Sequence, residues 1–195
     1  MLDKNISKEQ LNDFLNDNLI VIDDNDKVLG KKSKLECHLM SNINDGLIHR
    51  GFSVLLYNSE NKFLLTERAD SKITFPSCFT NACCSHPLYQ QDEMEDKGAI
   101  GIKRAAKRRM VKELGIDENE IDLDDMAYTN RFMYKAKSND MWGEHEICYL
   151  LIIKKDYNLN INPNEVKSHR YVSKDELKKL YGNIFFKNLK NFAID

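Results

Sequence analysis

The sequence predicts a mixed α+β domain: several strands around one long central helix. Three observations carry this. Apolar runs rich in β-branched residues recur along the chain with turn residues between them. Only one long segment, Asp92 to Leu114, has sustained helical periodicity. The chain has 195 residues and no internal repeat or low-complexity linker. It therefore reads as one domain, large enough to bury its own core.

The elements follow in order. Residues 8–16 are expected to form a short polar helix. "NLIVIDDNDKVLGK", Asn18 to Lys31, reads as two short strands around a "DDND" turn. "LIHRGFSVLLYN", Leu47 to Asn58, reads as a long strand. "SEN" turns it into "KFLLTER", Lys62 to Arg68, giving a β-hairpin. Residues 73–87 carry proline and cysteine and are expected to be extended. In 92–114, Ala99, Ile102, Ala106, Met110 and Leu114 recur at spacings of three and four, and Gly115 stops the helix. Residues 128–137 and 143–155 read as paired strands around "SNDMWG", and 165–173 as another strand. Ser173 then caps a helix, with Glu176 at the capping-box position.

Composition narrows the function. Apolar residues make up 42 % and the formal net charge is −2, an ordinary globular balance that argues against a nucleic-acid partner. Five cysteines, two of them adjacent, make a poor disulfide framework and suit a reducing compartment with thiol or metal roles. The N-terminal sequence has no apolar signal region, and no run approaches a membrane span. The expectation is a cytoplasmic protein with no membrane partner.

"TNACCSHP", Thr80 to Pro87, sets two thiols and an imidazole side by side. In an extended chain Cys84 and His86 point the same way and Cys83 the other. Cys84 is either a tuned thiol or a buried small hydrophobe; Cys37, Cys78 and Cys148 read as packing residues. Glu144 and Glu146 share one strand face. With His38, His49 and His86 they would suit a divalent transition metal, but spacing alone also allows a polar strand face. "KRAAKRRMVKE", Lys103 to Glu113, is either a solvated basic face or part of a diphosphate grip. For the grip, Arg109 stands four residues before Glu113 on one helix face, and a carboxylate there could hold Mg²⁺. Arg68 and Lys72 could join the same anion site.

Taken together, "ECHL", "GLIHRGFSVLLYN", "DSKITFPSCFTNACCSHPL", "RAAKRRMVKELGI", "MYKAKSNDMWGEHE" and "NPNEVKSHRYVSKDEL" resemble the type I isopentenyl-diphosphate Δ-isomerases, in their eukaryotic-like branch. These are relatives of the Nudix fold. The stretches run in family order from about residue 20 to 180. The resemblance implies a mixed β-sheet sandwiched by helices, in one domain over 1–195. It also implies a short N-terminal extension (about 1–17) and a shortened C-terminal tail (about 183–195).

The same resemblance implies site roles. Cys84, Glu146 and Tyr134 match the catalytic groups. His38, His49, His86, Glu144 and Glu146 match a first metal site, for Zn²⁺, Mn²⁺ or Mg²⁺, and Glu113 a Mg²⁺ held with the substrate diphosphate. Lys34, Arg68, Lys72 and Arg109 match cationic diphosphate contacts, with Ser85 and Trp142 also at the substrate. The implied reaction interconverts isopentenyl and dimethylallyl diphosphate in isoprenoid biosynthesis. Its partner is a small molecule, and the protein is expected to be a monomer or weak homodimer.

A Nudix-type diphosphohydrolase would need the glutamate run of the hydrolase signature. Here Arg109 and Lys112 replace two of its three glutamates and only Glu113 survives. The second alternative is a metal-binding homologue with impaired catalysis. Its support is the short tail, which lacks the family's Thr-Pro-Trp motif and leaves Phe185 or Phe186 as substitutes. Ser77 also stands where the family commonly has glycine.

Overall fold

A computed structural model describes residues 8–180 of the chain. Phe185, Phe186 and the expected short tail lie outside the described residues. The architecture is built on a nine-stranded mixed sheet. In chain order the elements are α1 (Lys8–Asn16), β1 (Asn18–Ile22), β2 (Val28–Ser33), α2 (Lys34–His38), α3 (Met40–Asn44), β3 (Ile48–Tyr57), β4 (Phe63–Arg68), β5 (Phe79–Thr80), β6 (Cys83–Ser85), α4 (Ile100–Leu114), β7 (Ala127–Lys137), β8 (Gly143–Lys154) and β9 (Val166–Val172). Residues 174–180 open a further helix. Ser173 Oγ accepts from the Glu176 N–H at 3.2 Å and the Glu176 carboxylate accepts from the Ser173 N–H at 2.7 Å, the reciprocal cap expected of this sequence.

The long strand β3 organises the sheet. Along one edge it pairs in parallel with β8, from His49 opposite Glu146 to Tyr57 opposite Lys154. Its other edge is shared in turn by β1, β6 and β4. The expected β3–β4 hairpin is therefore slight: the two strands meet only at Tyr57 and Phe63. β4 takes β9 as its main partner, from Phe63 opposite Val172 to Arg68 opposite Val166. β7 pairs with β8 along its length, as expected.

Strand periodicity divides β3 and β8 into two faces. Phe52, Val54 and Leu56 of β3, with Ile147, Tyr149, Leu151 and Ile153 of β8, join Ile102, Ala105, Ala106, Met110 and Leu114 of α4 in the main core. The alternate residues, His49, Gly51 and Ser53 with Glu144, Glu146 and Cys148, face the other way. There α2 and α3 pack against β8. Helices thus cover both faces of the sheet.

The central helix starts later than the periodicity suggests. Gly98 and Ala99 both adopt left-handed backbone angles, φ 62° and 55°. Residues 91–93 form a turn, Lys97–Ala99 a single 3₁₀ turn, and the regular helix begins at Ile100. Gly115 at φ 62° ends it, its N–H donating to Val111 O. Among the described residues no helix is long and apolar enough to cross a membrane.

Met110 is fully buried between α4 and the sheet. Met110→Ala is expected to lower the unfolding free energy by about 2–5 kcal/mol, read by chemical denaturation. A loss below about 0.5 kcal/mol would contradict the placing of the core between α4 and β3.

Candidate active site

The register of β3, β7 and β8 assembles the site. His49 lies opposite Glu146 across the β3–β8 ladder, and Tyr134 lies opposite Glu146 across β7–β8. Side chains directly opposite share a face, so all three reach the same side, with Glu144 two residues away on β8. His38 arrives at the end of α2, whose start is fixed by a capping box between Ser33 and Glu36. His86 follows β6. Its segment is held to α4 by Arg108, which bonds the Glu93 carboxylate and the His86 carbonyl, while Glu93 accepts from the Leu88 N–H at 2.6 Å.

The three imidazoles and two carboxylates form a buried cage. His38 is 1 % exposed, His49 0 % and Glu146 4 %, a polar cluster with almost no access to water. Glu144 Oε2 is 3.0 Å from His38 Nε2 and 3.5 Å from both His49 Nε2 and His86 Nε2. Glu146 Oε2 is 3.1 Å from His86 Nε2 and 3.6 Å from His49 Nε2. One ligand atom each from His38, His49, His86 and Glu144 falls within 4.8 Å of the others.

This donor set fits a divalent cation. His49 Nδ1 and Nε2, His86 Nδ1 and Glu144 Oε2 are buried without a hydrogen-bond partner, an arrangement that costs free energy unless something satisfies them. His38 Nδ1 donates to the Lys34 carbonyl at 2.6 Å, which points Nε2 into the cage beside Glu144. Burial pushes His49 and His86 down to about 4, so both are neutral, the form that binds metal. Burial pushes Glu144 up, but His38 and the other imidazoles outweigh it and hold this carboxyl well below its usual range. Burial first, and then the Glu144 charge, push Glu146 up to about 7. A bound cation would lower both carboxyls.

Next to the cage is a cavity of ≈ 230 Å³. Cys84, Ser85, Tyr134, Glu144 and Glu146 line it, and so do Lys34, Arg68, Lys72 and Arg109. The structure thus gathers into one hollow most of the residues singled out from the sequence. The cations there are balanced by Glu165. Lys72 donates to it at 2.6 Å and the Arg109 guanidinium is 3.4 Å away. Burial alone would raise the Glu165 carboxyl; Lys72 and Arg109 instead take it down to about 2. Lys34 is pushed down to about 8, by burial and by the charges of Arg109 and Lys72. Arg68 bonds the carbonyls of Thr74 and Phe75 at 2.8 and 3.0 Å and so shapes the loop over the cavity.

Several expectations change. Trp142 is absent from the cavity wall; it packs edge-on against Phe14 at 5.1 Å, and Phe14 lines the cavity in its place. Cys78 is exposed and lines the cavity instead of packing in the core; its carbonyl accepts from the Arg68 N–H where β4 ends. Cys37 and Cys148 are buried as expected, and Cys83 packs into the main core. The basic face of α4 is largely paired: Arg104 with Glu95, Arg108 with Glu93, Lys112 with Asp13 and Glu9. Arg109 bonds Glu113 Oε1 at 2.6 and 2.9 Å, and Glu113 stays outside the cavity wall.

Ser77 has φ 59°, the left-handed region that explains a glycine preference there. Its hydroxyl donates to Asp70 at 2.5 Å, which offsets part of the strain. Sequence reading also missed α1 as a wall of the site. Gln10, Asp13 and Phe14 line the cavity, although Leu11, Phe14 and Leu15 already stood at helical spacing.

Residues 47–190 match the NUDIX domain family. The chain is 55 % identical over 172 residues to isopentenyl-diphosphate Δ-isomerase 1 of Mesocricetus auratus, covering 88 % of this chain and 76 % of that protein. It is 51 % identical to isopentenyl-diphosphate Δ-isomerase 2 of Homo sapiens, over 85 % of this chain and 73 % of that one. Among solved structures, DR0079 from Deinococcus radiodurans aligns with a TM-score of 0.56 at 15 % identity, over 86 % of this chain and 90 % of that one, a likeness of fold.

The cage yields a direct expectation. Purified protein should carry about one divalent ion per chain in this cage, and His49→Ala should lose it, read by elemental analysis. Chelation should lower the thermal midpoint of the parent and leave that of His49→Ala unmoved. Full metal content in His49→Ala would contradict the assignment.

Proposed function

This chain belongs to the isopentenyl-diphosphate Δ-isomerases, a group within the NUDIX domain family, and we propose that Glu146 and Cys84 are its proton-transfer pair. The enzyme interconverts isopentenyl diphosphate and dimethylallyl diphosphate. One observation carries the assignment of the pair: β6 and β8 flank β3 on opposite edges, and each delivers one group, Cys84 or Glu146, into a cavity that also gathers four cations.

An alkene is a very weak base, so its protonation needs a strong acid, a base to finish the reaction and a site closed to water. Glu146 in its protonated form gives a proton to C4, leaving a tertiary cation at C3. Cys84 as thiolate takes a proton from C2, and the double bond forms between C2 and C3. Glu146 ends as carboxylate and Cys84 as thiol, and the reverse reaction exchanges them. The pair therefore holds one transferable proton between them. Burial raises the Glu146 carboxyl toward neutrality and also raises the Cys84 thiol. An elevated thiol is a stronger base once ionised.

Tyr134, on the strand beside Glu146, restrains the carboxyl by a hydrogen bond. Phe14, Phe75 and Tyr134 line the cavity. An aromatic face beside a carbocation contributes about 0.5–2 kcal/mol. A divalent ion held by His38, His49, His86, Glu144 and Glu146 (Zn²⁺, Mn²⁺ or Mg²⁺) would orient the Glu146 carboxyl and raise its acidity. Glu113 is a single carboxylate already bonded by Arg109, so Mg²⁺ there would be held mainly by phosphate oxygens of the substrate. Lys34, Arg68, Lys72 and Arg109 bind the diphosphate, with Ser85 beside Cys84 at the cavity wall. Their binding energy is remote from the reacting carbons and holds them in place.

Incubation with isopentenyl diphosphate and Mg²⁺, following dimethylallyl diphosphate and free phosphate together, tests this. Allylic product without phosphate is expected from the parent. Cys84→Ala and Glu146→Gln should each lose about 10²–10⁴-fold in kcat. Phosphate release, or full activity in either variant, would contradict the assignment.

Lys34 supplies a pH signature. With its ammonium group lowered to about 8, it is cationic below that pH and loses its charge above it. The kcat/KM, which reports the free enzyme, should fall as pH rises through about 8, and Lys34→Arg should move that limb to higher pH. An unchanged limb in Lys34→Arg would remove Lys34 from the diphosphate site.

A further inference from the structure

Asn81 sits between β5 and β6, in the sequence stretch that carries Cys84, and none of the roles above uses it. Its side-chain Oδ1 accepts from the Cys84 thiol at 2.6 Å, the shortest of three polar contacts on that sulphur. The other two are Ser53 Oγ at 3.2 Å, directly opposite across the β3–β6 ladder, and Thr80 Oγ1 at 3.5 Å. Asn81 is itself pinned from two sides. Its carbonyl accepts from the buried Thr66 hydroxyl on β4 at 2.7 Å, and its Oδ1 also accepts from Thr80 at 3.2 Å. The sulphur is therefore held by groups from β3, from β5 and from the link to β6.

We propose that Asn81 is a positioning residue, which fixes the Cys84 side chain so that its sulphur faces the substrate carbon in the cavity. The inference rests on Cys84 being the reacting thiol. A cysteine side chain turns about a single bond and has staggered alternatives. Ser53 and Thr80 are longer contacts, and hydroxyl rotors follow the sulphur more readily than they direct it. An amide tied at both its backbone and its side chain directs it. The same three contacts suit a reversible reaction: the Asn81 oxygen accepts from the thiol, and the Ser53 and Thr80 hydroxyls can donate to the thiolate.

The test compares Asn81→Leu and Asn81→Ala with the parent and with Cys84→Ala, and repeats the Asn81 change in a Cys84→Ser background. Thermal midpoint and metal content are recorded for each; if Asn81→Leu does not fold, Asn81→Ala carries the comparison. The expected result is a fall in kcat on the order of 100-fold, the scale of a misplaced reacting group, with KM for isopentenyl diphosphate within about twofold. In the Cys84→Ser background the same change should alter the residual rate by less than about twofold, because the residues act through one sulphur. Parent-like kcat in both Asn81 variants would overturn the inference. So would a loss in kcat matched by a rise in KM, or an equal loss with and without Cys84. If Cys84→Ala kept the parent rate, the thiol assignment itself would fail, an outcome separable from an inactive Cys84→Ala beside a fully active Asn81→Leu.

Discussion

The parallel pairing of β3 with β8, in the register that sets His49 opposite Glu146, is the constraint on which the rest of the structure depends. A shift of one residue would turn His49, Glu144 and Glu146 into the face packed on α4 and expel Ile147, Tyr149 and Leu151 from it. The apolar core therefore fixes the polar site. Phe52, Val54 and Leu56 with Leu151 and Ile153 are all at or near zero exposure, and their burial holds the two strands in the one register that assembles the cage.

Such a cage is costly on its own. Two carboxylates and three imidazoles out of water carry unmatched hydrogen-bonding capacity, and buried ions are tolerated only when paired or bound to metal. The cationic side of the cavity solves the opposite problem. Lys34, Lys72 and Arg109 repel one another, and each would be hard to bury charged. Glu165 balances them where β9 begins, with Asp13 of α1 beside Arg109. The cavity thus joins two clusters of opposite character, a cage whose buried polar atoms lack partners and a group of cations balanced by carboxylates. Replacing the hydrolase glutamates by Arg109 and Lys112 belongs to this design: Arg109 now faces Glu113 and Glu165, and Lys112 anchors α1 through Glu9 and Asp13.

Local pattern made much of this legible. Strand runs, the helix ending at Gly115 and the Ser173 cap depend on neighbours in sequence, and they fall where the residues predict. The two glutamates on one strand face and the Cys-x-His spacing were also visible, and the family resemblance brought them together. What escaped depends on long-range contacts. The parallel β3–β8 pairing joins residues about a hundred apart, so β4 looked like a hairpin partner when its main ladder is with β9. Periodicity extends the helix back to Asp92 because nothing local forecasts a left-handed Ala99. Trp142 was expected at the substrate because it lies beside Glu144 in sequence. The structure instead sets it behind Phe14, a residue of the N-terminal extension. Asn81 gave no signal beyond its motif, since its partner contacts come from strands distant in sequence.

The central claim is that the double bond moves by protonation at one end and proton removal at the other, by groups on two strands that flank β3. Running the reaction in D₂O and reading the product by NMR tests it most directly. The account predicts dimethylallyl diphosphate with deuterium in the methyl group derived from C4 and one hydrogen lost from C2. Allylic product with no deuterium at that methyl would contradict it, because the hydrogen would then have moved from C2 to C4 without an exchangeable acid on the protein.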